Sequence, residues 1–156
     1  MRRPLTLVLS HLLAGLAGYL LGVYTLPLLL APPGPGTDKL AEVQAAASFS
    51  GSFRRDLAGS DFLHWGEGEV SIGRGVVALQ GRLAPGPDYR LYLSPEFVET
   101  EAEFEALRAR MVEVGPVRTF ENFIVPLPPA VEPADYNTAV IWCESFAEFI
   151  TSAQYR

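Results

Sequence analysis

Asp135-Tyr136-Asn137-Thr138-Ala139-Val140-Ile141-Trp142-Cys143-Glu144-Ser145-Phe146 holds the only cysteine of the chain, one of its two tryptophans and its densest run of β-forming residues. Ala139 to Cys143 is unbroken apolar sequence, and Val, Ile and Trp suit a pleated, packed surface, so the run has the pattern of a strand covered on both faces. It predicts a central strand with Cys143 inside it. Asp135, Tyr136 and Asn137, after Glu132-Pro133, supply the turn that launches the strand, and Glu144 starts its exit toward solvent.

Downstream, Phe146-Ala147-Glu148-Phe149-Ile150 reads as one more strand in a segment that ends at Tyr155. Upstream, Met111 to Val114, Val117 to Phe120 and Phe123 to Pro126 give two short strands around Gly115-Pro116, followed by a proline-rich turn through Pro129. Thr100 with Glu103 three residues on is a capping box ahead of Phe104, Leu107 and Met111 at one-face spacing, which predicts a helix. Glu101, Glu103 and Glu105 begin it and Arg108 and Arg110 end it, complementing the helix dipole. The acidic cluster from Glu96 to Glu105 is therefore read as a solvated helix start rather than as a cation site, since calcium takes Asp and Asn on a tight loop.

Nearer the N-terminus, Ser48 to Phe53 alternates apolar with small or polar residues, as a half-buried strand does. Glu69 to Ile72 and Val76 to Gln80 flank Gly73-Arg74-Gly75 and predict a hairpin, and Pro85-Gly86-Pro87-Asp88 turns into Tyr89 to Ser94. Roughly seven or eight short strands with turn signals between them predict a mainly β fold: an antiparallel sandwich or barrel with one short helix.

A single transmembrane helix is expected ahead of this domain. Leu5 to Leu26 carries no formal charge apart from His11, and as a helix it would extend about 33 Å, enough for a bilayer core. Arg2 and Arg3 precede it and Lys39 is the next basic residue, which predicts a cytoplasmic N-terminus and an extracytoplasmic domain. A cleaved signal peptide is the competing reading, but its apolar core runs only about 7 to 15 residues before a small-x-small site. The run here is longer, and Pro27, Pro32 and Pro33 crowd its exit, so an uncleaved anchor is expected. Ala14, Gly18 and Gly22 place small residues on one face, and His11 is expected to be neutral and hydrogen-bonded. The expected division is an anchor over 1–30, a Pro/Gly stalk with a short helix capped by Thr37 or Asp38 over 31–47, and a β domain over 48–156.

Composition narrows the function. Setting Arg2 and Arg3 aside leaves 10 basic residues against 18 acidic, with Lys39 the sole lysine, so nucleic acid is not the expected partner. One cysteine excludes an internal disulfide, dithiol redox, a multi-cysteine zinc site and covalent c-type haem attachment. The chain has no Gly-x-Ser-x-Gly, no His-Glu-x-x-His and no glycine-rich phosphate loop before a helix, which argues against hydrolase and nucleotide chemistry. His64, beside Trp65 and ahead of Gly66-Glu67-Gly68, has the setting of a turn histidine. On residues alone, Cys143 is either a small buried hydrophobe or a redox thiol, and Tyr136 and Trp142 read as core anchors.

The segment from Asp135 to Phe146, preceded by Gly115-Pro116-Val117-Arg118 and Asn122 to Pro126, resembles the C-terminal signature of the DM-thirteen family of electron-transfer DM domains. Gly51-Ser52-Phe53, His64 with Gly68, and Pro85 to Ser94 resemble that family's N-terminal half, so the likeness covers about residues 48–156. Glu121 and the Phe149-to-Ala153 tail depart from it, each where the family tends to carry glycine. The resemblance implies an extracytoplasmic β-sandwich-like domain that moves electrons or oxidatively modifies surface proteins through its cysteine, as a bare thiol or as ligand to a prosthetic group such as haem. By position that cysteine is Cys143, with His64 as a second candidate ligand; no metal site and no particular cofactor is assigned. The expectation is a membrane-anchored redox module with a partner protein, its oligomeric state open. The alternative is a non-catalytic binding or structural sandwich with Cys143 merely buried.

Overall fold

A computed structural model describes residues 2–156. Strands β1 (Phe49–Phe53), β2 (Gly66–Gly73), β3 (Val76–Leu83), β4 (Tyr89–Ser94), β5 (Val112–Val117), β6 (Glu121–Pro126), β7 (Thr138–Cys143) and β8 (Glu148–Gln154) form two four-stranded sheets. The first has the order β1-β2-β3-β6, the second β5-β4-β7-β8, and every pairing is antiparallel. The fold is thus the mainly β, two-sheet architecture that the alternating runs imply.

All six residues of β7 are buried, as the apolar run requires. Alternation along the strand sends Ala139, Ile141 and Cys143 into the main core between the sheets, with Ile72, Leu79, Leu91 and Phe123. Val140 and Trp142 face the other way, into a second core with Tyr92, Phe104 and Phe149. That second core exists because helix α3 (Glu101–Leu107), continued by a 3₁₀ turn over Arg108–Arg110, covers the outer face of the sheet. Thr100 accepts a hydrogen bond from the Glu103 amide at 3.3 Å, and the Glu103 carboxylate takes the Glu99 amide at 2.8 Å, one residue earlier than a standard capping box.

Several boundaries differ from expectation. The hairpin turn is Arg74-Gly75, with Gly75 at φ 79°, but its strands extend further from the turn than the β-forming residues suggest, to Gly66 and Leu83. The Gly115-Pro116 pair does not separate two strands. β5 runs through it, and a register shift opposite Leu91 and Tyr92 leaves Val114 unpaired next to Gly115, which adopts φ 157°.

Before the sandwich lie α1 (Arg2–Leu30) and α2 (Thr37–Ala45). Gly36 caps α2 without a side-chain bond, so Thr37 and Asp38 sit inside the helix, and Leu40 anchors it at 1 % exposure. Residues 31–36 lie against the first sheet, where Gly34 approaches the Asn122 backbone. α1 is long and apolar enough to cross a bilayer, and its length and composition fit a membrane anchor and a signal sequence alike. The His11 imidazole bonds the Leu7 carbonyl at 2.7 Å within its own helix. Residues 3–21 are exposed, and the end of α1, from Gly18 onward, lines spaces shared with the sandwich.

Candidate functional site

Cys143 ends β7, and strand register decides its neighbours. It pairs with Tyr89 of β4 on one side and with Glu148 of β8 on the other, which puts the three side chains in one row on one face of the sheet. The turn Pro85 to Asp88 closes over the row. Cys143 Sγ donates to the Pro87 carbonyl at 3.0 Å, and the Glu144 amide donates to the Asp88 carbonyl at 3.1 Å, pinning the turn to the end of β7. Asp88 adopts φ 50°, a left-handed turn position that aspartate tolerates.

Burial pushes the Cys143 thiol above its usual range, and the carboxylates of Asp88 and Glu148 push the same way, while the Phe146 and Ser145 amides oppose them. The sulfur is therefore a protonated thiol at neutral pH. Glu144, adjacent in sequence, is not among the groups that disfavour the thiolate. Its side chain turns to Arg108, which it meets at 2.8 and 3.0 Å, and also accepts a bond from the Tyr92 hydroxyl. Tyr89 is 3 % exposed, burial drives its hydroxyl strongly toward the neutral form, and that hydroxyl makes no hydrogen bond among the described residues.

His64 arrives on the loop between β1 and β2. Asp61 builds the loop: its Oδ1 accepts the Leu63 and His64 amides at 2.7 Å each, and its Oδ2 faces His64 Nδ1 at 3.2 Å. Against a desolvation penalty, those amides hold the Asp61 carboxyl below its usual range. With Nδ1–H donated to Asp61, Nε2 carries the lone pair and is left without a partner among the described residues, the arrangement in which a histidine accepts a proton or binds a metal. Trp65 follows, clamped under the Arg55 guanidinium at 3.3 Å.

Both sequence candidates meet here. Cys143 and His64, along with Tyr89 and Glu148, line one cavity of about 300 Å³, walled also by Leu63, Phe146 and Ile150 and, from α1, by Leu20, Val23 and Tyr24. Cys143 is 3 % exposed, so the cavity grazes the sulfur rather than displaying it. A thiol and an imidazole with a free Nε2 are the residues that would hold a prosthetic group here. At about 300 Å³ this cavity taken by itself is at the small end of ligand pockets. Among the described residues no three His, Cys, Asp or Glu groups gather as a bare-ion site. Trp142 and Tyr136 belong to the packing: Trp142 is on the opposite face of β7, and Tyr136 packs on the rim of the main core.

The sequence reading missed Asp61, Tyr89 and Glu148. Asp61 had a signal, since Asp followed two and three residues on by turn amides is a common Asx turn. Tyr89 and Glu148 had none, because their place depends on register.

The chain is a two-sheet antiparallel sandwich with its one thiol and an imidazole on a cavity at the edge of the sandwich. The family model described as Electron transfer DM13 matches residues 57–155, and the chain belongs to that family. No curated protein and no solved structure matches the chain.

Proposed function

We propose that the chain is a membrane-anchored, extracytoplasmic electron-transfer module whose working group is Cys143, with His64 beside it. In this reading residues 1–30 are the anchor, 31–47 a short connection and 48–156 the redox domain, which meets a partner redox protein outside the cytoplasm. The observation that carries it is the convergence of Cys143 and His64, 79 positions apart in sequence, on one cavity. A sulfur kept only for packing needs neither a cavity nor an oriented imidazole next to it.

The protonated state of the thiol shapes the chemistry. Such a sulfur gives up an electron together with its proton, and His64 Nε2 and the Glu148 carboxylate are the bases on the cavity wall. Asp61 is a positioning residue that fixes which imidazole nitrogen is free. The test is protein-film voltammetry of the full chain beside its visible spectrum. The expected result is a redox wave that disappears in Cys143→Ser and shifts in His64→Gln. A wild-type chain that exchanges no electrons and carries no chromophore leaves the binding or structural sandwich as the function.

A further inference from the structure

The cavity does not end at the sulfur. A second space of about 850 Å³ lies between the sandwich and the last turns of α1, and the two share Val23, Gly86, Pro87, Tyr89 and Phe146 as walls. We propose that together they bind a lipid-soluble quinol, its ring in the smaller space against His64 and Tyr89 and its tail in the larger one along α1. The proposal deepens the function above and rests on α1 being a membrane anchor.

The smaller space selects the ring. No Lys or Arg lines it, and Glu148 gives it a carboxylate, so phosphate and carboxylate headgroups are disfavoured. Besides the Glu148 carboxylate and the Tyr24 hydroxyl, two polar groups on its wall lack partners among the described residues, the His64 Nε2 acceptor and the hydroxyl of Tyr89, a residue 3 % exposed that lies beside Gly86. A neutral ring with hydroxyls satisfies both, since one hydroxyl donates to Nε2 and an oxygen accepts from Tyr89. Any Cβ at position 86 would stand 2.4 Å from the Tyr89 hydroxyl oxygen, so glycine there leaves that group room to meet a ligand.

The larger space selects the tail. Gly18 and Gly22 lower one side of α1, and Leu26, Leu30, Phe120 and Phe146 supply apolar walls, beside the charged Asp88, Arg90 and Arg118. From Gly18 to Leu30 this wall extends about 18 Å along the helix, at the end of the apolar segment, where an anchored chain would leave the outer leaflet. Phe146, 49 % exposed and a wall of both spaces, gives their mouth an apolar side that water does not favour but a bilayer surface does. A ligand dissolved in the membrane could enter from that side without crossing water.

The experiment uses the full chain in phosphatidylcholine nanodiscs and decylubiquinol as probe, whose fully substituted ring cannot add to the sulfur. Binding is read by the chemical shift of the His64 imidazole in labelled protein. Saturable binding at least about tenfold tighter than that of the same ring without its tail supports the proposal, provided Tyr89→Phe weakens it while leaving the thermal transition unchanged, as removal of an unpartnered hydroxyl should. Gly86→Val should abolish it. No saturable shift, equal affinity with and without the tail, or indifference to both substitutions overturns it. Voltammetry on the same sample separates the two ideas: a Cys143-dependent wave without quinol binding sinks this inference and leaves the redox reading, whereas loss of both sinks both.

Discussion

Trp142 and Cys143 are consecutive residues of one buried strand, and their two sides of the sheet have been put to different uses. On the Trp142 side everything is closed. The indole stacks on Phe104 with ring centres 3.9 Å apart and planes 7° from parallel, Tyr92 meets Phe104 edge-on, and Arg108 bound to Glu144 covers the edge. The indole N–H has no acceptor there, so packing offsets a cost of about 1–3 kcal/mol to keep this face dry. On the Cys143 side the row Tyr89–Cys143–Glu148 borders an opening instead. The Trp142 face is dry packing under α3, whereas the Cys143 face fills the main core and borders a cavity at the end of the strand.

The widest contrast should come from removing the Trp142-side cover. Phe104→Ala deletes a ring of 0 % exposure between two aromatic partners and is expected to cost about 3–5 kcal/mol, read as a lowered urea midpoint. A loss under about 1 kcal/mol would mean that this face is not the closed one.

A smaller effect belongs to the loop that brings His64 to the cavity. Asp61→Ala removes the acceptor of two backbone amides on an exposed loop, for a loss of about 1 kcal/mol after allowance for solvent. Faster hydrogen exchange at the Leu63 and His64 amides is the sharper signature, and unchanged exchange would deny Asp61 its positioning role.

The mildest test is a pH scan of the Glu144 network. Desolvation works against the Glu144 carboxylate, but the Tyr92 hydroxyl and the Arg108 guanidinium outweigh it and hold its pKa below the ordinary value of 4.5. A depressed folded-state pKa means stability that is complete above that value and is lost as pH falls through the folded pKa. Between about pH 5 and pH 3 the wild type should therefore lose stability more steeply than Glu144→Gln, by about 1 kcal/mol or less for a network so open to solvent. Parallel curves would show that the closed face owes nothing to this cap.

The closed face was the more legible in sequence. Phe104 stood out through helical spacing behind Thr100, and the run from Ala139 to Cys143 called for cover on both sides, which α3 provides. The first hairpin was read too short because Gly66, Gly68 and Gly81 have no β-forming side chain. Gly68 in fact pairs with Gly81, and a Cβ on Gly81 would stand 2.0 Å from the Glu67 carbonyl oxygen, so the strands approach where only glycine fits. The open face was half legible. Cys143 and His64 are conspicuous as the lone thiol and the lone imidazole beyond the apolar segment, whereas Tyr89 and Glu148 gain their meaning from pairing registers that no local pattern encodes.

The difference between the faces reduces to how the sulfur is reached. Alkylation of Cys143 in the full chain by a small neutral reagent, followed at pH 8.5 across low urea concentrations, measures that directly. Contact through the cavity predicts a slow rate, because the thiol is protonated, that stays flat with urea until the unfolding transition and quickens tenfold per pH unit. A rate that climbs with urea along the full slope of global unfolding would contradict it, since the sulfur would then be as sealed as Trp142.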